Sequence, residues 1–273
     1  MKRIFAFLLG LLLCLSATGQ AQITTKKEKL SDFDSKTLKV VLPGDPILDE
    51  ALRQAAKNAW YLSPFETCTK EEFDRLRTSD NWYFLVTREA DRKKEPGGVT
   101  FLHLLKGGGK KVDDMMDVAR LALCPAGAPT GREAALLPAL LETFQTYVKE
   151  ARSSDFKRFG SAIGTLRKTG GKDVYLVADE LSPQIGKDFI DKKFDEKIHQ
   201  VDAATADAAV RDALDAIVAF CIYPAEIVKG ASCYKYYVDA RTHEILWYKQ
   251  HKISGSTGAG LLKSDLNDLV KPR

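Results

Sequence analysis

Residues 216–253, AIVAFCIYPAEIVKGASCYKYYVDARTHEILWYKQHKI, restrict most tightly what this chain can fold into. Residues 216–223 are an unbroken apolar run closed by Pro224. Such a run, rich in Ile, Val and Phe, suits a strand covered on both faces. Residues 233–238 put Tyr234, Tyr236 and Val238 on one side and Cys233, Lys235 and Tyr237 on the other, the period of two that a sheet imposes. Asp239-Ala240-Arg241-Thr242 supplies a turn, and residues 244–251 return with Ile245 and Trp247 opposite Leu246 and Tyr248. The stretch predicts a buried strand with two antiparallel strands appended, and residues 81–106 read as its counterpart in the first half.

Strands and helices alternate before each of these stretches. Residues 37–42 form a first strand through Leu38, Val40 and Val41. Asp45 suits the cap of a helix that starts at Pro46, where a missing N–H costs nothing. Leu48, Leu52, Ala55, Ala56 and Ala59 continue it at helical spacing. Residues 65–67 suit a short strand, and Thr69-Lys70-Glu71-Glu72 has the capping-box pattern ahead of Phe73 and Leu76. Residues 82–87 form a strong strand, and residues 99–106 return after a turn at 93–98. Residues 116–124 fit either a helix through Val118, Leu121 and Ala122 or a strand running into Pro125. Residues 138–152 predict a helix with Pro138 in its first turn. In the second half, residues 173–178 predict a strand, Ser182-Pro183 opens a helix to about residue 194, residues 197–201 suit a strand, and Asp202 caps a helix over 203–214. A final helix is expected near 264–270.

Laid side by side, the halves repeat the same order of elements, Val40 falling with Leu176, Asp45-Pro46 with Ser182-Pro183, and Thr69 with Asp202. Strands joined through helices run parallel with right-handed crossovers. The expected fold class is therefore α/β: two similar three-layer units, each a mostly parallel sheet of order 2-1-3 edged by an antiparallel hairpin, arising by internal duplication. The units are expected at 37–130 and 173–273, with a connecting helix and linker at 131–172 that packs against one or both.

The chain opens Met1-Lys2-Arg3, continues with an apolar run over residues 4–15, and reaches small residues suited to cleavage near Ala21. That is the pattern of a secretory signal peptide over residues 1–21. Residues 22–36 are polar, lack periodicity and predict a flexible leader. No later stretch is apolar enough to cross a bilayer, so a soluble, exported protein without a transmembrane span is expected. The formal charge is +4, and loss of Lys2 and Arg3 with the signal peptide leaves +2. Nearly balanced charge speaks against a nucleic-acid partner. Four cysteines remain in the mature chain, Cys68, Cys124, Cys221 and Cys233. In an oxidising compartment this even count permits disulfides, with Cys221 and Cys233 on neighbouring strands as the first pair to consider. Their alternative role is as small buried residues. No zinc-type spacing occurs, and neither a metal nor a cofactor is expected.

Residues 238–248, VDARTHEILWY, resemble the hairpin of periplasmic α/β modules such as the TolB amino-terminal domain and the curli secretion lipoprotein. Those have a strand, an Asp-Ala-x-Thr-Gly-type turn and a strand with an Ile/Leu-Trp pair. Asp239-Ala240-Arg241-Thr242 and Leu246-Trp247 stand in those places, with His243 where the turn glycine is usual. The two-part layout behind a signal peptide also resembles a group of secreted bacterial α/β proteins, a likeness that brings no activity with it. The modules act by binding partners in envelope assemblies, so the resemblance implies binding rather than catalysis.

Glycine-rich segments carry little chemistry. GTLRKTGGK at 164–172 lacks the phosphate-loop pattern, residues 107–111 suit a solvated linker, and residues 255–260 lack the order of a nucleophile elbow. Ligands of open α/β sheets lie beyond the carboxyl ends of parallel strands, where strand order reverses. That rule selects Gly44, Asp45, Arg88 and Glu89 in the first half and Asp179, Glu180 and Tyr223 in the second. A capping role competes at Asp45, and a solvated strand end at Asp179 and Glu180. No nucleophile, base and orienting group assemble from neighbouring elements. The expected function is a non-catalytic exported protein that binds an envelope protein or a small ligand. The alternative is a secreted hydrolase or other enzyme that uses strand-end carboxylates.

Overall fold

The computed structural model describes residues 30–153, 169, 171–186, 189 and 196–270. Strands β1 (Thr37–Val41), β2 (Phe65–Cys68), β3 (Trp82–Glu89), β4 (Val99–Lys106) and β5 (Met116–Pro125) form one sheet in the order β2-β1-β3-β4-β5. Strands β6 (Asp173–Val177), β7 (Ile198–Val201), β8 (Ala216–Ile222), β9 (Ser232–Asp239) and β10 (Ile245–Lys252) form a second sheet of the same topology, β10-β9-β8-β6-β7. In each, three parallel strands are followed by two antiparallel ones. The two units are thus alike, and the expected 2-1-3 order holds in both.

Among the described residues five helices pack on these sheets: α1 (Pro46–Ala59), α2 (Lys70–Leu76), α3 (Glu133–Arg152), α4 (Ala203–Arg211) and α5 (Lys263–Val270). Local chemistry sets their starts. Asp45 accepts from Ile47 N and Leu48 N at 3.0 Å each, and Thr69 and Glu72 complete a reciprocal capping box. Asp202 takes the Thr205 N–H at 2.7 Å.

The units meet through non-equivalent faces. The chain steps from β1 to β2 and back past β1 to β3, so right-handed crossovers put α1 and α2 on opposite faces of the sheet. The registers Leu38↔Tyr83 and Val174↔Ile217 make Leu38 the counterpart of Val174, and Tyr83 that of Ile217. Leu38 and Tyr83 belong to the large core between the sheets, whereas Val174 and Ile217 belong to a separate core with Leu261, Leu266 and Leu269. The first unit therefore turns its α1 face inward and the second its α4 face. Helix α3 packs against α1, α4, β5 and β10, joining both units. Its buried Gln145 takes the Tyr61 and Leu62 N–H groups at 2.8 and 3.1 Å and donates to Ala59 O at 2.9 Å, closing the end of α1. At the other end of the interface Tyr236 donates its hydroxyl to Ala122 O at 2.9 Å, from one sheet to the other.

Several expectations change. Residues 116–124 settle as a strand, and the counterpart of 216–253 runs on to Pro125. Bulges between Thr100 and Phe101 and between Leu104 and Leu105 shift the β4–β5 register, which explains the blurred sequence period. Helix α3 starts at Glu133, so Pro138 lies inside it rather than in its first turn. Glu133 organises the entry by accepting from Thr130 N at 2.9 Å and Gly131 N at 2.7 Å, a start that lacks the usual capping residue at Arg132. The end of the expected flexible leader is packed instead. Leu30 and Phe33 are fully buried, Phe33 lies 4.2 Å from the Tyr83 ring, and Asp32 accepts from Tyr83 Oη at 2.7 Å and Lys106 Nζ at 2.8 Å. Residues 107–111 are a tight turn rather than a solvated linker: a Cβ on Gly107 would sit 2.1 Å from Ser79 O, and Gly108 N donates to Arg77 O at 2.8 Å. The expected signal peptide, most of the connector at 153–172 and most of the stretch expected as a helix after Ser182 lie outside the described residues, and residues 183–184 form a turn rather than the expected helix start.

Candidate functional site

Strand order reverses between β6 and β8 in the second unit, which is where the topology allows a crevice. Strand β6 ends at Val177 and the chain folds through a single 3-10 turn, Ala178–Glu180, that brings Glu180 beside Cys221 near the end of β8. A crevice of about 310 Å³ opens there. Its walls are mostly apolar, with Leu123, Leu136, Phe220 and Ile222 among them, and Glu180 and Arg132 supply the charge.

Arg132 comes from the start of α3, in the other half of the chain. Its Nη1 donates to one Glu180 oxygen, its Nε donates to Asp207 Oδ1 of α4 at 2.9 Å, and its guanidinium carbon lies 4.4 Å from the Phe220 ring centre. The other Glu180 oxygen accepts from Cys221 N at 2.9 Å. One guanidinium thus serves two carboxylates, and the cluster carries more negative than positive charge when both are ionised. Burial pushes the Glu180 carboxyl up to about 7, against the pull of Arg132 and the Cys221 N–H and with Asp207 adding to the rise. Burial also raises Asp207. Arg132 stays cationic because the two carboxylates outweigh its own desolvation.

The arrangement can hold a proton near neutrality in an apolar crevice, which is one requirement of acid–base chemistry. It lacks an activated nucleophile. Burial pushes the Cys221 thiol well above its ordinary value, and the Tyr223 phenol up to about 12. A site with apolar walls and a few fixed polar groups is suited to seating a small molecule.

Of the residues selected from sequence, Glu180 and Tyr223 line this crevice. Asp179 is exposed on the same turn. Asp45 spends its carboxylate on the α1 cap. Arg88 and Glu89 lie together at the end of β3, where Arg88 pairs with Asp113 at 2.6 Å and Glu89 stands 3.9 Å from Arg92, beside a different hollow. The sequence reading missed Arg132 and Asp207. The one available signal was Asp207 set among alanines on a short helix, where a charge facing inward needs a partner.

All four described cysteines are free and buried, including the pair considered for a disulfide. The register sets Cys221 opposite Lys235, so Cys233 is a diagonal neighbour two residues on. The two thiols lie within hydrogen-bonding reach of each other, a contact that adds to the effect of burial on Cys221. Among the described residues no group of three or more His, Cys, Asp or Glu is placed to hold a metal ion, and no helix is long and apolar enough to cross a membrane. No family model, curated protein or solved structure matches this chain.

Proposed function

We propose that the chain is an exported, non-catalytic binding protein of the cell envelope, and that its second unit seats a small, largely apolar ligand in the Glu180–Arg132 crevice. The observation that carries this is the crevice itself: apolar walls at a strand-order reversal, with a buried ion-pair cluster to orient what enters. The signal-peptide pattern and the likeness of residues 238–248 to partner-binding periplasmic modules support the setting.

The test uses N-phenyl-1-naphthylamine, a neutral apolar fluorophore. Saturable enhancement at one site per chain is expected, lost in Ala128→Trp, which fills the mouth at a half-buried position. No saturable binding, or equal binding by the variant, would sink the ligand assignment. Export is tested apart from it, by the mass of the protein recovered from envelope fractions. A start near residue 22 is expected, and an unprocessed cytoplasmic chain would refute it.

A second reading, an enzyme that uses strand-end carboxylates, is favoured by one observation, the Glu180 carboxyl held up to about 7. It predicts a hydrolytic activity that disappears in Glu180→Gln while the crevice still binds the fluorophore.

A further inference from the structure

A larger hollow of about 570 Å³ lies between the units and shares no residue with the crevice. The first unit contributes Arg88 and the chain that follows β3, Phe101 and His103 of β4, and Arg120 of β5. The second contributes Tyr234, Tyr248 and Gln250 from β9 and β10. It is built before any ligand arrives. Glu95, in the turn between β3 and β4, accepts from Ser232 N at 3.2 Å, Ser232 Oγ at 2.9 Å and Tyr234 Oη at 2.8 Å, and lies 3.4 Å from Lys252. That clasp fastens the hairpin of one unit onto the sheet of the other.

Three features of the lining select a ligand class. Aromatic rings stand in supported pairs: Phe101 meets Tyr234 edge-on at 5.3 Å, and Tyr248 lies 5.3 Å from Tyr236. Planar polar groups are held in fixed positions around them. Arg120 lies 6.0 Å from the Phe101 ring centre and 4.0 Å from Asp117, His103 Nδ1 lies 3.1 Å from Asp117, and Gln250 donates to Ser232 Oγ at 2.7 Å. Charge is nearly balanced: Arg88, Lys94 and Arg120 stand against Glu89, Asp91, Glu95 and Asp113 in the lining, a surplus of one negative charge. A hollow with no strong surplus of either sign gives little advantage to an ion. An apolar molecule would strand its many donors and acceptors without partners. A neutral molecule with an apolar C–H face and neighbouring hydroxyls suits both: the face rests on an aromatic ring, and the hydroxyls exchange hydrogen bonds with carboxylate, guanidinium and amide groups.

We infer that this inter-unit hollow is a binding site for a neutral saccharide, with Phe101 and Tyr248 as stacking surfaces and Arg120 and Gln250 as hydroxyl partners. The assignment does not depend on the crevice or its ligand. It is tested with the full chain by ligand-observed saturation-transfer NMR and calorimetry, using maltotriose and tri-N-acetylchitotriose as probes. At least one of the two is expected to bind saturably, with transfer strongest to ring C–H protons. Arg120→Ala, at a side chain 38% exposed, and Tyr248→Ala are each expected to weaken that binding at least about tenfold. Circular dichroism and urea unfolding of the same two variants report that the rest of the molecule is intact, and Arg120→Ala alone decides if Tyr248→Ala unfolds. Failure of both sugars to bind at about 10 mM, a very weak dissociation constant for a built site, overturns the inference. So does sugar binding that Arg120→Ala leaves within about twofold, a negligible change in free energy.

Discussion

The two units share a strand order but furnish its reversal point differently. In the first, the ends of β1 and β3 border a shallow hollow of about 210 Å³, completed by Lys70, Phe73 and Asp74 of the unit's own α2. In the second, the crevice of about 310 Å³ borrows Leu123, Thr130, Arg132 and Leu136 from the other half of the chain. The cause is the choice of inward face. Helix α2 covers the outer face of its own sheet, so its reversal point is filled from within the unit. The second unit turns the opposite face inward, and the start of α3 reaches its reversal point. Topology decides where a crevice can form, and packing between units decides which residues line it.

The sharpest way to break this comparison is at the outer covers. Helix α5 is fastened to the second sheet by Asp265, which pairs with fully buried Lys235 and with Lys249 at 2.9 Å and takes the Leu262 N–H at 2.9 Å. Asp265→Asn leaves Lys235 buried without its carboxylate and is expected to cost roughly 3–5 kcal/mol in urea unfolding. The cover of the first sheet is secured by the Thr69 capping box, and Thr69→Ala is expected to cost only about 1 kcal/mol. Equal losses would mean that the two outer faces are covered in energetically equivalent ways.

Next in size is the crevice. Arg132→Met leaves Glu180 and Asp207 facing each other without a cation, and a loss of about 3 kcal/mol is expected at pH 8. Glu180→Gln leaves Arg132 still paired with Asp207 and is expected to change stability far less. It also carries the pH signature. The Glu180 carboxyl titrates near 7 in the fold against an ordinary value of 4.5, so the unfolded chain releases its proton first as pH rises. Stability from this group is complete below pH 4.5 and is lost as pH rises towards about 7. Urea titrations from pH 5 to 8 should show that decline in the native protein and a flatter profile in Glu180→Gln. Parallel profiles would show that the carboxylate is charged throughout.

The smallest effect is at the hairpin turn of the second unit. Asp239 Oδ1 takes the Arg241 and Thr242 N–H groups at 3.0 Å each, and His243 follows with φ 58°, the left-handed region. His243→Gly should stabilise the protein by about 1 kcal/mol, since glycine enters that region without a Cβ clash. A loss instead would mean that the imidazole contributes more than its backbone costs.

What could be read from sequence was whatever neighbouring residues decide. The caps at Asp45 and Thr69, the period-two pattern around Tyr234–Val238 and the glycine-like position at His243 are local signals, and each has its structural counterpart. Strand β5 was ambiguous because its bulges break the alternation that identifies a strand. The packed end of the leader was missed because Leu30 and Phe33 are isolated apolar residues in a polar segment, and only the pocket beside Tyr83 gives them a role. The crevice cluster was one-third legible. Glu180 follows from topology, but Arg132 reaches Glu180 across 48 positions and Asp207 across 75, and no local pattern encodes such meetings.

The opposed faces of the two units have a consequence for assembly. A contact between unlike sides of like bodies does not close on itself as a symmetric pair does; repeated, it runs on like a stack of coins. The α1-type side meets the α4-type side inside this molecule, and the complementary sides look outward at its two ends. Helices α2 and α5 act there as end-stops, much as terminal repeats do in solenoid proteins. Loss of α5 would therefore expose the surface on which a further copy could be threaded.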